Sequence, residues 1–205
     1  ALKSTDVLFC IDAIQSIGAV PFDVQECHAD FVAADGHKWM LSAEGLAVFY
    51  TTRQARDKLK LQQFGWHMVK HRGDYDRKDW EPTSSAMRFE CGSPNMLGIY
   101  ALNASLSLLE EVGMANVSEL LQDNIEYLID HVQTNNALTL LSPAVASRRG
   151  GIVTFKHNKK DSKALHQTLM DQGVICAYRG GGVRFSPHFY TTKDTLDRAL
   201  NLVDS

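Results

Sequence analysis

Polar side chains of complementary chemistry stand directly behind two apolar runs near the start of the sequence. Asp12 and Gln15 follow the run 7–11, and His37 and Lys38 follow the run 30–34. Ligands of open parallel sheets bind just beyond the carboxyl ends of the strands, so adjacent strands would bring a carboxylate and an amine into one crevice. Burying either charge alone is costly, and each would need the other or a ligand. The pattern predicts a ligand site built on an acid and an amine.

The simpler alternative is that these residues have no chemical role. One Asp behind a strand is usually a turn former, and one Lys after Gly-His is usually a solvated loop residue. A chemical role is favoured over this alternative because Asp-Ala-Ile-Gln and Gly-His-Lys occur in that order, each behind an apolar run.

Three other groups of residues are weaker candidates. His67 and His71 have the spacing of metal ligands, but no third ligand is indicated, so surface histidines are expected and no metal site is predicted. Arg179 precedes three glycines that could cradle a phosphate, yet no helix follows directly, which favours a tight turn between strands. Cys10 and Cys176 lie in apolar runs and are expected to be small core residues.

The elements that position these residues begin with short apolar runs separated by turn signals. Such runs are typical of parallel strands buried on both faces, and they predict strands over 7–11, 30–34 and 46–50. A short polar helix is predicted over 53–59. The aperiodic segment 62–94 is expected to be a loop that is functional or covers something.

Helical periodicity takes over after this loop. The spacing of apolar residues predicts one helix from 99 to a C-cap at Gly113, a second capped by Asn116, a third over 163–172 and a last capped by Thr192. Strands are predicted over 151–155, 174–177 and 183–186. The second part of the chain therefore reads as a compact α+β unit.

The composition is that of a globular protein. The 205 residues are 44% hydrophobic and 22% charged, with a formal net charge of −3, so no basic excess favours nucleic-acid binding. No apolar run approaches the roughly 18–20 residues of a membrane helix. The four cysteines form no Cys-x-x-Cys pair, which favours a reducing cytoplasm. An abrupt start at Ala1, without a signal-peptide pattern, leads us to expect a fragment.

The sequence resembles the class V branch of the fold-type I pyridoxal-phosphate enzymes, and within it the isopenicillin-N-epimerase-like proteins most. Four segments carry the resemblance in the family's order: IDAIQSIGAVPFDVQ, ADFVAADGHKWMLSAEGLAVFY, MRFECGSPNMLGIYALNASLSLLEEVG and GGGVRFSPHFYTTKDTLDRAL. Together they cover nearly the whole chain. The resemblance implies an α/β fold, with a remnant of the PLP-binding large-domain sheet over 1–98 and a small α+β carboxy-terminal domain over 99–205.

The resemblance also implies a role for individual residues. Lys38 would form a Schiff base with the aldehyde of pyridoxal 5'-phosphate and move the proton at the substrate α-carbon. The other cofactor contacts would come from Asp12 at the pyridine nitrogen, Gln15 at the phenolic oxygen, His37 at the phosphate, and Ser93 at the phosphate across a dimer interface. Arg184 would hold the α-carboxylate of an amino-acid substrate through its planar fork.

Some features depart from the family pattern. Asp35 stands where relatives often carry Ser or Thr near the phosphate, and it is not assigned to binding. Desulfurases place a nucleophilic cysteine shortly before the final arginine, and 177–182 contains none. Aminotransferase- or epimerase-like chemistry on a small amino acid therefore fits better than desulfuration or selenocysteine lyase activity. A non-catalytic α/β interaction module is the alternative from another class.

The amino-terminal half of the family supplies the main phosphate-binding loop and the aromatic residue that stacks on the pyridine ring. No such segment precedes Ala1 in this sequence, so the chain is expected to hold the cofactor weakly. The intact protein is expected to be a cytoplasmic homodimer with its sites at the subunit interface.

Overall fold

A computed structural model describes residues 6–205. The first five residues, which bear on the expected start of the chain, lie outside the described residues. Backbone contacts divide the chain into two compact units. The first contains the described residues up to Ile17 together with Phe22–Leu108, and the second contains Gly18–Pro21 and Leu109–Ser205.

The first unit is built on a three-stranded sheet. Its strands are β1 (Cys10–Asp12), β2 (Phe31–Asp35) and β3 (Ala47–Thr51), in the order β1-β2-β3. β1 pairs with β2 in parallel, with Asp12 opposite Ala33, and β2 pairs with β3 in antiparallel fashion. Buried residues from β2, from the loops that flank β1 and β2 and from the following long helix form one apolar cluster: Ala13, Ala29, Val32, Ala34, Met40 and Leu102.

Two predictions about this sheet are wrong. Val7 and Leu8 are 58% and 40% exposed, and Cys10 is exposed, so the run 7–11 is not a strand buried on both faces. Within the described chain β1 has one neighbouring strand, which leaves its outer side open to solvent. β3 is antiparallel because the connection 36–46 is shorter than the crossover of a dozen or more residues that parallel strands need.

Three helices and a long loop complete the first unit. α1 (Val24–Cys27) is capped by Asp23, and α2 (Arg53–Lys58) is capped by Thr52, whose hydroxyl accepts a hydrogen bond from the Ala55 N–H at 3.1 Å. The segment 62–94 contains 3-10 turns at Trp66–Met68 and Ala86–Phe89. α3 (Met96–Val112) follows, and the change of unit after Leu108 falls within it.

The second unit is an antiparallel sheet with three helices. β4 (Leu138–Leu140), β5 (Val153–His157), β6 (Ala177–Arg179) and β7 (Gly182–Phe185) lie in the order β4-β5-β7-β6. The helices are α4 (Met114–Thr134), α5 (Ser162–Asp171) and α6 (Lys193–Asp204). Fully buried side chains fill the core of this unit, among them Leu121, Ile125, Leu128, Phe155, Leu169 and Leu200.

The sequence predicted most of these elements, with shifted ends. The Thr192 cap of α6 is confirmed, since its hydroxyl accepts from the Thr195 N–H at 3.3 Å. Asn116 is not a cap: α4 begins at Met114 after Gly113, and the Asn116 amide donates to the Val112 carbonyl at 2.7 Å. Among residues 6–205, no helix is long and apolar enough to cross a bilayer.

Candidate functional site

The site predicted at the sheet edge lies where β1 and β2 end. Asp12 is the last residue of β1, and the backbone N–H of Ala13 donates to the Ala33 carbonyl at 2.8 Å, which extends the parallel pairing by one residue. One carboxylate oxygen of Asp12 accepts a hydrogen bond from the Ile14 N–H at 3.1 Å. Asp12 therefore forms the turn that the simpler alternative expected, and its second oxygen stays available to a ligand.

Lys38 is an exposed residue in the loop that follows β2, and its neighbours in that loop are mostly buried. Gly36, Trp39 and Met40 are buried, His37 is half-buried and Lys38 is exposed. Two backbone hydrogen bonds hold this turn, from Leu41 N–H to the Lys38 carbonyl at 3.0 Å and from residue 42 N–H to the Gly36 carbonyl at 2.9 Å. The apolar neighbours fix the backbone of the loop and leave the lysine side chain pointing away from the core.

Leu41 adopts a left-handed backbone conformation, with φ of 60°. This conformation is unusual for a branched residue and costs about 1–2 kcal/mol relative to the ordinary regions. The turn around Lys38 is therefore strained, and its hydrogen bonds and the burial of Met40 must hold it in place. Such strain is often found where a side chain is held for function.

A side-chain hydrogen bond joins the two loops directly. The indole Nε1–H of Trp39 donates to Oε1 of Gln15 at 2.8 Å, across 24 positions of sequence. This contact brings the polar residues that follow β1 and those that follow β2 to one place at the sheet edge. The predicted juxtaposition of the two loops is present in the structure.

Several polar groups at this edge have no partner within the described chain. The Lys38 amine and the His37 imidazole make no hydrogen bond or ion pair there, and the Gln15 NH2 group donates to no described residue. Asp12 and Lys38 are exposed and do not pair with each other. The expected cost of burying these two charges thus does not arise, because both remain solvated. The exposed Asp35 carboxylate likewise has no described partner.

Ser93 lies in the exposed loop before α3, and its neighbour Asn95 anchors that loop. The Asn95 side chain donates to the Gly45 carbonyl at 3.1 Å and accepts from the Gly98 N–H at 3.0 Å. A Cβ on Gly98 would lie 2.6 Å from the Asn95 amide nitrogen, so any other residue there would displace the Asn95 side chain. Asn95 therefore ties the start of α3 to the connection that carries Lys38 into β3.

Arg184 lies on β7 in the second unit. It pairs in register with Thr154 of β5 and Ala177 of β6, at the centre of the sheet. Its Nε is buried and has no hydrogen-bond partner. No other described group bonds to the guanidinium. A half-buried cation without a protein partner is suited to bind an anion.

The turn before Arg184 is tight. β6 ends at Arg179 and β7 begins at Gly182, and the two residues between them, Gly180 and Gly181, have φ of 65° and 80°. Left-handed conformations at both central positions are those of a type I′ hairpin turn, as the three glycines predicted. The prediction that Arg179 ends a strand before a tight turn is confirmed.

Cys176 is half-buried just before β6, and burial raises the pKa of its thiol. A raised pKa lowers the fraction of thiolate, the nucleophilic form, at neutral pH. His166 lies 3.3 Å from the Cys176 carbonyl, and the Cys176 N–H points to the Met170 sulfur at 3.5 Å. The prediction that Cys10 and Cys176 are core residues is wrong, because Cys10 is exposed and Cys176 is only half-buried.

One histidine of the predicted surface pair is buried. His67 is 7% exposed, whereas His71 is exposed. Arg72 Nη1 lies 2.7 Å from His67 Nε2, and since a guanidinium can only donate, this nitrogen accepts. The other ring nitrogen lies 3.7 Å from a Glu90 carboxylate oxygen. Over residues 6–205, His, Cys, Asp and Glu form no group of three that could hold a metal ion.

The sequence reasoning missed three residues that organise the site: Trp39, Leu41 and Asn95. Only the position of Trp39 beside Lys38 could have drawn attention to it, because its partner is 24 residues away. Asn95 carries a stronger signal, an amide side chain just before a helical pattern. Nothing in the sequence marks the backbone conformation of Leu41.

The sequence model of the aminotransferase class-V family matches residues 1–198. An uncharacterized aminotransferase of Bacillus subtilis, YcbU, is 31% identical over 201 residues, which are 95% of this chain and 50% of that protein. The chain thus spans about half the length of this curated relative.

Two solved structures share the fold. The apo structure of a cysteine desulfurase from Thermococcus onnurineus NA1 superposes with a TM-score of 0.87 at 22% identity, over 98% of this chain and 53% of that one. A substituted form of C-DES, with glycine covalently linked to its PLP cofactor, gives a TM-score of 0.81 at 20% identity, over 93% of this chain and 50% of that one.

Proposed function

Because the chain belongs to the aminotransferase class-V family, we propose that it carries the lysine-bearing part of an enzyme that uses pyridoxal 5'-phosphate to act on a small amino acid. The fold class predicted from the sequence is confirmed by the shared architecture of the two solved structures. The observation that carries the proposal is the group of polar side chains at the ends of β1 and β2 with donor or acceptor atoms that have no partner within the described chain.

These side chains fit the chemical groups of pyridoxal phosphate. The second oxygen of Asp12 can accept a hydrogen bond from a protonated pyridine nitrogen, and the Gln15 NH2 can donate one to the phenolic oxygen. His37 would donate a hydrogen bond to the phosphate, and the Lys38 amine would hold the aldehyde carbon, with the aldehyde oxygen leaving as water. Ser93, exposed in the loop anchored by Asn95, would reach the phosphate of a second subunit.

When bound, the cofactor supplies an electron-withdrawing ring that stabilises negative charge at the substrate α-carbon. The residues of this chain would hold and orient that ring and move protons around it. Asp12 would keep the ring nitrogen protonated by its negative charge. Lys38 would carry the proton at the substrate α-carbon through Nζ.

Arg184 would bind the α-carboxylate of the substrate. Its guanidinium offers two parallel N–H groups to a carboxylate, and it has no described partner that a substrate would have to displace. A charge-assisted pair of this kind contributes about 1.5–3 kcal/mol to binding. The β-strand that carries Arg184 keeps its backbone fixed between two neighbouring strands.

Amino-group chemistry is favoured over sulfur transfer by the hairpin before Arg184. A two-residue turn of glycines leaves no loop there for a nucleophilic cysteine, and Cys176 before it has a raised pKa. Desulfurase-type activity remains the second candidate, since the Thermococcus structure carries that name.

The wider setting of the chain is also part of the proposal. We place it in a cytoplasmic homodimer, with a large-domain part over 1–98 and a small domain over 99–205. Support for a reducing compartment comes from the cysteines, all four of which are free.

The test uses the full protein that carries this sequence. Added pyridoxal phosphate should give a visible absorbance band that persists through gel filtration, and borohydride reduction followed by mass mapping should place the label on Lys38. Lys38→Ala should abolish both. Lys60→Ala, at an exposed lysine without a described partner, should change neither. A band and a label that persist in Lys38→Ala would refute the assignment of the site.

A further inference from the structure

The hydrogen bond between Trp39 and Gln15 has a defined polarity. Trp39 is 6% exposed, and a buried indole N–H needs an acceptor to avoid a desolvation cost. The distance of 2.8 Å from Nε1 to Oε1 of Gln15 is that of a well-formed hydrogen bond. Gln15 itself is exposed, so without this contact its amide would be free to turn.

An indole can donate a hydrogen bond but cannot accept one. The Gln15 amide must therefore turn its oxygen toward Trp39, which directs its NH2 group away from the indole. Within the described chain that NH2 group has no acceptor. The amide is thus held as a donor at the edge where Asp12 and Lys38 also lie.

We infer that Trp39 is a positioning residue that fixes the Gln15 amide so that it donates to an anionic oxygen of the bound ligand. The inference rests on the proposed function, in which that oxygen is the phenolic oxygen of pyridoxal phosphate. If the amide turned over, its carbonyl oxygen would face this oxygen and repel its ionised form. Trp39 excludes that orientation, and because it adjoins Lys38 it couples the amide to the lysine loop.

The first experiment needs no cofactor. In the NMR spectrum of the protein, the indole N–H proton of Trp39 should resonate downfield and exchange slowly with solvent. Gln15→Leu should shift it upfield and speed its exchange, because the acceptor is lost. A resonance that Gln15→Leu leaves unchanged would overturn the contact and the inference with it.

The second experiment measures the pH midpoint of the visible band of the protein loaded with pyridoxal phosphate. A donor to the phenolic oxygen favours its ionised form, so removing the donor should raise the midpoint. Gln15→Leu should raise it by about one pH unit, the size expected for a hydrogen bond to a charged group. Trp39→Phe should raise the pH midpoint by about 0.3 to one unit. The lower value is expected if the freed Gln15 amide spends half its time in each orientation, and the upper value if it no longer donates to the phenolic oxygen.

The controls separate positioning from packing. Trp66→Phe, at a half-exposed tryptophan in the 62–94 loop, should leave the midpoint unchanged. The double variant Trp39→Phe/Gln15→Leu should match Gln15→Leu alone, because both changes remove the same donor. Should Trp39→Phe fold poorly, the cofactor-free NMR result and Gln15→Leu still test the inference.

Failure of the inference differs from failure of the proposed function. A midpoint that moves in Gln15→Leu and stays fixed in Trp39→Phe overturns the role of Trp39 and leaves the cofactor site standing. A protein without a Lys38-dependent visible band overturns the proposed function, and the inference falls with it.

Discussion

Replacing Arg184 with methionine should make the protein more stable and, at the same time, weaken its binding of an amino-acid carboxylate. The buried Nε of Arg184 has no hydrogen-bond partner, and a buried donor without a partner costs about 1–3 kcal/mol. Methionine keeps an unbranched apolar side chain of similar length, so the packing along the stem is retained. The rest of the guanidinium is partly solvated, which places the expected gain near the lower limit, about 1 kcal/mol.

For a chain of this size, 1 kcal/mol corresponds to a rise in Tm of about 2–4 °C. The same change should weaken binding of an amino-acid carboxylate by about ten- to a hundredfold, the loss of a charge-assisted hydrogen bond. Thermal unfolding followed by circular dichroism measures the first effect. The KM of the loaded enzyme, or protection of Tm by added amino acid, measures the second.

Arg149 provides the matched control within the same unit. It bonds to Gln122 at 3.3 Å and to the Ala144 carbonyl at 3.3 Å, and it pairs with Glu126 at 3.7 Å. Arg149→Met should therefore lower the Tm, because it leaves the partners of a 9% exposed side chain unpaired. If Arg184→Met lowers the Tm as much as Arg149→Met does and leaves the KM unchanged, Arg184 is a structural residue and both parts of the prediction are refuted.

Two further predictions concern the hairpin region. Cys176 should react with iodoacetamide more slowly than the exposed Cys10 at pH 8, because burial raises the pKa of the Cys176 thiol. For the same reason its rate should keep rising at pH values where the rate of Cys176 in urea has levelled off. A rate equal to that in urea, or loss of amino-acid turnover in Cys176→Ser, would contradict this assignment. Gly181→Ala should lower the free energy of unfolding by about 1–2 kcal/mol, because φ is 80° at Gly181. Gly150→Ala should be nearly neutral, because Gly150 has no left-handed φ. Equal effects of the two substitutions in denaturant titrations would contradict the turn assignment.

The sequence predicted those parts of the fold that depend on local chemistry. Thr192 caps α6, and the glycines after Arg179 form the hairpin turn, because each signal acts on backbone groups within four residues. Helix α4 shows how such a signal can mislead. Asn116 has the side chain of a cap, but the helix already begins after Gly113, and the asparagine amide bonds to the last carbonyl of α3.

The errors in the sheet have another origin, because strand pairing is decided by neighbours distant in sequence. The run 7–11 is apolar enough for a core strand, yet only Cys10–Asp12 pairs, and Val7 stays exposed. β4 is a three-residue strand, Leu138–Leu140, that forms because β5 offers it an edge. His67 is a second case, because a surface position was predicted, whereas the residue is buried and contacts Arg72 and Glu90 of the same long loop.

The candidate site combines both kinds of information. Asp12 and Lys38 could be predicted because polar residues after apolar runs mark the ends of strands, and parallel strands share one edge. The contact of Trp39 with Gln15 is what makes that edge specific, because it turns two separate loops into a single array of defined donors and acceptors. A lysine and an aspartate at a strand end can bind many ligands. An amide held as a donor would restrict the ligand to one that carries an acceptor oxygen at that position, and the phenolic oxygen of the proposed cofactor would meet this requirement.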